Sequence, residues 1–375
     1  MCGCAWSPDG SKIVSASVDK TVRVWDVGGD GHEVTKLEGH TGGVISCAWS
    51  PDGARAASSS GDNTVRVWDV GEGREVAKLE GHGGDVNSCA WSPDGTKLAT
   101  ASDDGTLRVW DAATWFEVAK LDGHAGEEVN WCAWSPDGTK IASASSDQTV
   151  RVWEVSTWTE VAKLEGLTGG VVSCAWSPDG TKLATALMDG TVRVWEVNTW
   201  REVAKLEGHT GGVLSCAWSP DGIQIASASC DQTLRVWDVG TWLEVATLEG
   251  HGGAVWMCAW SPDGKRLASA SDDQTVRMWL APAVMPALTD GRANSVNVPD
   301  SSLEGAFAGV RRWAKSAAET SAGELAAANT RTEVANTRAE VANTRKRRLE
   351  GDPEALQGCS LEELRQVGLC RFYPG

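Results

Sequence analysis

Hydrophobic and polar residues alternate in short runs along the first 280 residues, and turn-forming residues separate these runs. A representative stretch begins with Val44–Trp49, which alternates and starts with β-branched residues, and continues into the turn Ser50–Gly53. Three further runs follow it, at Ala56–Ser60, Thr64–Trp68 and Glu75–Glu80. Four short strands joined by tight connections predict one antiparallel four-stranded sheet.

This unit recurs seven times, which predicts a ring of sheets. The run Cys-Ala-Trp-Ser-Pro-Asp-Gly recurs every 42 or 43 residues, beginning at Cys4, Cys47, Cys89, Cys132, Cys174, Cys216 and Cys258. A period near 42 whose unit ends in Trp-Asp is typical of a β-propeller with four-stranded blades. We therefore predict an all-β fold: a seven-bladed β-propeller of four-stranded antiparallel blades over residues 1–289, followed by a partly helical or disordered C-terminal tail.

The repeat closely resembles the WD-repeat family over residues 1–280. The resemblance implies that each blade holds a buried hydrogen-bonded set of a histidine, a serine or threonine, a turn aspartate and a strand tryptophan. Five sets are complete: His40, Ser58, Asp62 and Trp68; His82, Thr100, Asp104 and Trp110; His124, Ser143, Asp147 and Trp153; His209, Ser227, Asp231 and Trp237; and His251, Ser269, Asp273 and Trp279. A hydrolase triad occurs once per site, whereas this set recurs, so we interpret it as structural.

Two blades depart from this pattern. Blade one lacks the histidine, and blade five has Leu167 at the histidine position and Leu187-Met188 before its turn aspartate. Removal of one partner from a buried network is expected to cost about 1–3 kcal/mol. The apolar residues of blade five indicate either a local adaptation or drift in one of several redundant repeats.

The copies of the strands do not match in number. Seven copies of the first three strands occur, but only six of the fourth strand, Glu-Val-Ala-Lys/Thr-Leu-Glu/Asp-Gly in most copies. In the WD-repeat family the N-terminal segment usually supplies the outer strand of the last blade, and here Met1 leads straight into repeat sequence. Ala283–Leu288 is the candidate for that strand, unless the chain is a fragment of a longer array. We predict a weakly closed ring whose seam between blades one and seven opens first.

Positions that vary between copies are the candidates for specificity. In WD-repeat proteins one flat face, here named the variable face, is lined by the residues on either side of the first-strand valine and by the residue before the turn aspartate. Carried onto this chain, these positions form an apolar arc of Val172, Met188, Leu214, Trp256, Val18 and Ile45, with Asp272 in the same blade as Trp256. An acidic sector lies opposite and comprises Asp85, Asp103, Glu127 and Glu128.

These two groups predict a partner segment with an aliphatic or aromatic anchor and a basic residue. Trp256 is the best single anchor, because tryptophan dominates interface hot spots. The alternative is a surface that has drifted and binds nothing. A second aromatic set lies towards the opposite face or outer rim, at Trp115, Trp158, Trp200 and Trp242, where packing over a neighbouring strand is favoured over a second binding surface.

Charge and cysteine spacing narrow the function classes. The net charge of −17 belongs to the first 280 residues, because residues 281–375 carry 12 basic and 12 acidic side chains. An acidic disc disfavours binding to nucleic acid and anionic membranes and favours basic or neutral proteins as partners.

The spacing of the cysteines argues against disulfides and metal sites. Seven of the 11 cysteines recur once per blade, which places them too far apart to form disulfides, and no Cys-x-x-Cys pair occurs. We expect reduced thiols, no metal or other cofactor, no membrane span, no signal peptide and a cytoplasmic location.

The composition changes after the last repeat. We predict a linker at 290–302, a helical or disordered arm with a short heptad-like repeat at 303–349, and a C-terminal segment with a short helix at 350–375. The heptad-like repeat predicts at most weak self-association of the tail, with a coiled coil as the less favoured alternative. Arg345–Arg348 is either a nuclear import signal or the charged end of a helix.

These observations together predict a non-catalytic scaffold that binds partner peptides or domains on one face of the propeller. The alternative is a recognition or sensor module cut from a larger multidomain WD-repeat signalling protein. A ubiquitin-ligase adaptor is disfavoured, since no Trp-Asp-x-Arg follows any third strand. A propeller enzyme would need a unique polar cluster at the central channel, and the variable positions supply none.

Overall fold

The computed structural model describes residues 1–28, 31–124 and 126–282. Its strands form seven antiparallel sheets, which are the blades. Blades one to three comprise β1 (Gly3–Trp6), β2 (Lys12–Ala16), β3 (Thr21–Asp26) and β4 (Glu33–Glu38); β5 (Val44–Trp49), β6 (Arg55–Ser60), β7 (Val65–Asp69) and β8 (Arg74–Leu79); and β9 (Val86–Trp91), β10 (Lys97–Ser102), β11 (Thr106–Asp111) and β12 (Glu117–Asp122).

Blades four to seven repeat the same arrangement. They comprise β13 (Val129–Trp134), β14 (Lys140–Ser145), β15 (Val150–Glu154) and β16 (Thr159–Leu164); β17 (Val171–Trp176), β18 (Lys182–Leu187), β19 (Thr191–Glu196) and β20 (Arg201–Glu207); β21 (Val213–Trp218), β22 (Gln224–Ser229), β23 (Leu234–Asp238) and β24 (Glu244–Leu248); and β25 (Val255–Trp260), β26 (Arg266–Ser271) and β27 (Val276–Leu280). The predicted seven-bladed propeller of antiparallel sheets is confirmed.

The strands of each blade pair in chain order, so that the first strand lies innermost and the fourth lies on the outer rim. The first strands line a central cavity of about 540 Å³. Because the strands are antiparallel, the turn between strands two and three lies at the same end as the link into strand one. This shared end is the variable face, and the Ser-Pro-Asp-Gly turns lie at the other end.

The hydrophobic core lies between blades rather than within them. In the interface of blades one and two, Val24 and Leu37 pack in one buried cluster with Val44, Trp49 and Trp68. A corresponding cluster lies between blades seven and one and contains residues of both ends of the ring. Each blade therefore depends on its neighbours to bury its faces, as expected for a repeat architecture.

Polar contacts join the blades at the end opposite the variable face. The first-strand tryptophan donates its indole N–H to the alanine carbonyl of the preceding blade, as in Trp49 to Ala5 (3.2 Å) and Trp134 to Ala90 (3.0 Å). Trp6 makes the same bond to Ala259 at 3.1 Å, across the seam. The Ser-Pro-Asp-Gly turn ends in a glycine with φ near +70°, which a left-handed turn favours.

Blade seven contains three strands within the described part of the chain. The candidate fourth strand, Ala283–Leu288, lies outside the described residues. So do the predicted linker at 290–302, the arm at 303–349 and the segment at 350–375, together with Arg345–Arg348. Preferential opening of the seam stays a prediction.

Candidate functional site

The structure brings the members of each histidine set together. In blade two, His40 Nδ1 lies 2.9 Å from Asp62 Oδ2 and His40 Nε2 lies 2.8 Å from Ser58 Oγ, which also accepts the indole N–H of Trp68 at 2.8 Å. The sets of blades three, four, six and seven have the same contacts. The four side chains of each set thus form one continuous hydrogen-bonded chain.

Donors and acceptors in this chain balance when the histidine is neutral. The tryptophan donates to the serine, the serine hydroxyl donates to Nε2, and the Nδ1 proton goes to the aspartate. Burial lowers the pKa of His209, against the opposing effect of Asp231. Burial alone would raise the pKa of Asp62, but hydrogen bonds from His40 and Thr64 hold that pKa well below its usual range. Ser58 is 0 % exposed, so no substrate reaches its hydroxyl.

Blade five completes its network without a histidine. Thr168, the residue after Leu167, donates its hydroxyl to Asp189. Thr185 accepts the indole N–H of Trp195 at 3.1 Å and donates to the backbone carbonyl of Arg193 at 3.3 Å. Two threonine hydroxyls therefore keep Asp189 and the indole of Trp195 hydrogen-bonded in this blade, and the expected cost of the missing histidine stays a prediction.

The apolar residues of blade five pack together in one buried cluster. Leu167 is 5 % exposed and Leu187 is 0 % exposed, and both belong to one buried cluster with Val171. Leu187 stands where the neighbouring blades carry a serine that donates to a backbone carbonyl, as Ser229 does to Gly211. Blade five has thus exchanged polar contacts for apolar burial at adjacent positions.

The variable positions of each blade are neighbours on one face. A backbone hydrogen bond joins the residue before the turn aspartate to the residue before the first-strand valine. This bond links Asp103 to Asp85 (2.9 Å), Ser146 to Glu128 (3.0 Å), Met188 to Gly170 (3.1 Å), Cys230 to Gly212 (2.9 Å) and Asp272 to Ala254 (2.9 Å). The turn and the interblade link therefore present their side chains to the same solvent region.

Two asparagines hold the acidic sector in place across the blade boundaries. Asn87 donates its amide to Asp103 Oδ1 at 2.6 Å and to the carbonyl of Val129, in the next blade, at 3.1 Å. Asn130 repeats this arrangement one blade later, with bonds to Ser146 Oγ (3.1 Å) and to the carbonyl of Val171 (2.9 Å). The carboxylates consequently lie on a surface that is fixed by side-chain contacts.

The carboxylates of the acidic sector repel one another. Among the described residues, no lysine or arginine forms an ion pair with Asp85, Asp103, Glu127 or Glu128. Burial raises the pKa of Asp103, and repulsion from Asp85 adds to the effect. Burial and the charge of Asp103 likewise raise the pKa of Glu128. A cation placed here would relieve this repulsion.

The apolar arc exposes less surface than the sequence indicated. Leu214 is 3 % exposed, Met188 is 8 % exposed and Val18 is 9 % exposed, so the expectation of an exposed side chain is wrong at these three positions. Met188 is covered because it lies flat over blade six, where a Cβ at Gly212 would meet its methyl carbon at 3.0 Å. Ile45, Val172 and Trp256 are half-buried and remain available at the surface.

Trp256 is the largest accessible side chain of the apolar arc and is held in one orientation. Its indole N–H donates to Asp272 Oδ1 at 2.8 Å. The bond orients the ring without covering it completely, since the side chain remains half-buried. A pre-oriented aromatic ring loses little conformational entropy when a partner covers it.

The aromatic set on the opposite face packs against the first strands. Trp115 meets Trp91 edge-on with ring centroids 6.0 Å apart, and Trp200 meets Trp176 at 6.2 Å. All four members have left-handed backbones, with φ between 54° and 62°, where blade two has Gly73. That backbone conformation costs roughly 1–2 kcal/mol per residue, so the ring contacts hold the backbone in a strained conformation.

The described residues contain no group of three or more histidine, cysteine or carboxylate side chains that is placed to hold a metal ion. The walls of the central cavity consist of cysteine, alanine, serine and tryptophan residues of the first strands and of prolines from the turns that follow them, with Trp131 and Met257 as the large additions. The nine described cysteines are all free thiols. In the same part of the chain, no helix has the length and hydropathy needed to span a bilayer.

Several organising residues escaped the sequence reasoning. Asn87 and Asn130 both follow the first-strand valine, in consecutive blades, and this recurrence is the signal that indicates a shared role. Thr168 follows the missing histidine directly, but Thr41 and Thr210 occupy the same position beside intact histidines. The sequence does not distinguish these threonines, and only the structure shows that the Thr168 hydroxyl donates to the turn aspartate.

Two family models match the chain. A model described as the IFT122 first beta-propeller matches residues 64–242. A second model, described as the WD domain, G-beta repeat, matches residues 1–26, 31–69 and 242–279. The matched residues together extend over the region in which the structure shows the seven blades. A search of curated proteins found no match.

Proposed function

Because residues 1–280 form a seven-bladed β-propeller of the WD-repeat family, we propose that the protein is a non-catalytic scaffold that binds partner segments on its variable face. WD-repeat propellers generally mediate protein–protein interactions. The polar sets that resemble catalytic triads are buried and repeated, which supports a structural role for them. We also propose a cytoplasmic location, which is supported by cysteines that recur once per blade and lie too far apart for disulfide bridges.

The acidic sector is the observation that carries this proposal. Four carboxylates lie together without a basic partner among the described residues, and asparagine contacts fix Asp103 in position. Such an arrangement costs free energy in the unbound protein, because like charges repel at close range. A lysine or arginine of a partner would remove that cost, so we propose that the partner segment supplies one.

The apolar part of the partner would be anchored by Trp256. The oriented indole offers a flat apolar surface, and Val172 and Ile45 are the other accessible members of the apolar arc. The acidic sector then selects partners by charge, while the tryptophan supplies most of the buried area. We therefore propose an extended partner segment that combines an aliphatic or aromatic residue with a basic one.

A comparison of variants tests this function. The full chain is tagged, expressed as wild type and as the double variant Trp256→Ala/Asp103→Lys, and its bound proteins are quantified by mass spectrometry. Phe116→Ala serves as the control, because Phe116 is 75 % exposed and lies away from the variable face. We expect the double variant to lose partners that the wild type and the control retain. Retention of every partner by the double variant would refute the proposed face.

A second candidate is a recognition module within a larger signalling protein. The match to a model described as a first propeller favours it, since that description places the propeller in a protein with more than one. The binding chemistry of the variable face is the same in both cases. Sequencing of the transcript upstream of the codon for Met1 distinguishes them.

A further inference from the structure

The wall of the central cavity breaks the repeat at one position. The residue before the recurring first-strand cysteine is serine in blades two, three, five and six and glycine in blade one. Blade four has Trp131 at this position, and blade seven has Met257. Two large apolar side chains thus stand where the other five blades keep a small residue.

Both of these side chains reach the cavity. The four serines at this position are at most 3 % exposed, whereas Trp131 and Met257 are half-buried and line the cavity. Trp131 packs against the buried cluster between blades four and five, and Met257 packs against the cluster between blades seven and one. Blades four and seven are separated by two blades on one side of the ring and by three on the other. The two side chains therefore enter the cavity from well-separated parts of its wall.

The cavity extends towards the face opposite the variable face. Its lining includes Pro51, Pro136 and Pro220, which belong to the Ser-Pro-Asp-Gly turns at that end. Among the described residues that line it, none follows a first-strand valine directly, so the variable face does not contribute to its wall. Each first strand runs from the variable face to these turns. Trp131 and Met257 consequently occupy the inner end of the cavity.

The composition of the wall specifies the chemistry of a ligand. The cavity volume of about 540 Å³ falls within the range of about 300–1,000 Å³ that is usual for small-molecule sites. The described residues of the lining include no charged side chain. A charged ligand would lose hydration there without gaining an ion pair, so the wall favours a neutral one.

The two large side chains add a preference for aromatic ligands. An indole ring such as that of Trp131 interacts favourably with a second aromatic ring in stacked or edge-on geometry. The thioether of Met257 also makes favourable contacts with aromatic rings, and its flexible side chain adapts to the shape of a ligand. Neither interaction is available to the serines of the other blades.

We propose that the central cavity binds a neutral, planar aromatic molecule, with Trp131 and Met257 as its principal contacts at the inner end. The ring of the ligand packs on the indole, and the methionine contacts it from the other part of the wall. None of the residues assigned to partner binding on the variable face takes part. The site therefore stands or falls independently of the proposed scaffold function.

A fluorescence titration of the full chain tests this site. The probe is prodan, a neutral, planar naphthalene dye whose emission shifts to the blue in apolar surroundings. We expect saturable binding of one dye per chain. Trp131→Ser should weaken binding about tenfold and Met257→Ser about threefold, because each removes a contact with the ring. Trp131→Phe keeps an aromatic ring and should retain most of the affinity.

The serine variants introduce the residue that four blades already carry, which separates binding from folding. Met257 Sδ accepts the backbone N–H of Cys4 at 3.4 Å, and Ser215 Oγ accepts that of Cys258 at the same distance. A serine at position 257 can therefore replace the methionine as acceptor, and urea unfolding checks that stability is kept.

Phe116→Ala controls for adsorption of the dye to the surface, because Phe116 is 75 % exposed. This variant should bind prodan as the wild type does. The proposal is overturned if the wild type does not bind the dye, or if both serine variants bind it with unchanged affinity. Loss of binding in Phe116→Ala would also overturn it, since the dye would then lie on the outer surface.

Discussion

Replacement of the histidine in two blades should have different costs, depending on the residue that follows it. His251→Leu removes a hydrogen bond of 2.7 Å to the ionised Asp273 and the acceptor for the hydroxyl of Ser269. A bond to a charged group contributes about 1.5–3 kcal/mol and a neutral one about 0.5–1.5 kcal/mol. We expect His251→Leu to lower the free energy of unfolding by about 2–4 kcal/mol.

His209→Leu should cost less, because Thr210 follows it. In blade five the equivalent Thr168 donates its hydroxyl to the turn aspartate after a leucine. Thr210 can take this role towards Asp231, which leaves only the neutral bond lost, at about 0.5–1.5 kcal/mol. Gly252 follows His251 and has no hydroxyl to offer.

Replacement of Gly252 by threonine offers a way to recover the stability that His251→Leu removes. A Cβ at Gly252 would meet its nearest neighbour, Asp273 Cβ, at 3.9 Å, so a threonine fits without a clash. His251→Leu/Gly252→Thr should recover about 1.5–3 kcal/mol relative to His251→Leu, with Gly252→Thr alone as the control. Equilibrium urea unfolding measures each value. Equal losses for the two leucine variants, together with no recovery in the double variant, would refute the explanation of blade five.

Three further predictions concern the thiols, the acidic sector and the seam. Burial raises the pKa of Cys132 to about 12, so it should react with iodoacetamide far more slowly at pH 8 than after denaturation, and rapid native labelling would contradict its burial. Asp103 and Glu128 have raised pKa values, so they should take up protons at a pH above the ordinary pKa values of 3.8 and 4.5. Affinity for a basic peptide should fall as they lose their charge. A constant affinity in anisotropy titrations over this pH range would count against the acidic sector. Hydrogen exchange should be faster in β27 than in β23, and uniform protection would remove the proposed weakness of the seam.

The repeated positions made most of the fold predictable. Each invariant run performs one local task, such as the Ser-Pro-Asp-Gly turn, and seven copies leave few alternatives to a ring. The strand boundaries in the representative blade differ from the prediction by at most one residue, as in Val65–Asp69 against Thr64–Trp68. Local propensity and the packing of neighbouring blades favour the same strands in this region.

The candidate site was less predictable, because side-chain exposure depends on neighbouring turns. Leu214 and Met188 occupy face positions in the sequence, yet both are buried. Glycine at position 212 permits that burial in the case of Met188, and no single-blade pattern reveals it. The accessible apolar surface is therefore smaller than the predicted apolar arc, and Trp256 is its main residue.

Selection from a random peptide library tests the central claim most directly. The full chain should enrich peptides that combine an aromatic or aliphatic residue with lysine or arginine, and Trp256→Ala/Asp103→Lys should abolish this enrichment while Phe116→Ala preserves it. Enrichment of the same peptides by the double variant, or of peptides without a basic residue by the wild type, would contradict the proposed binding face.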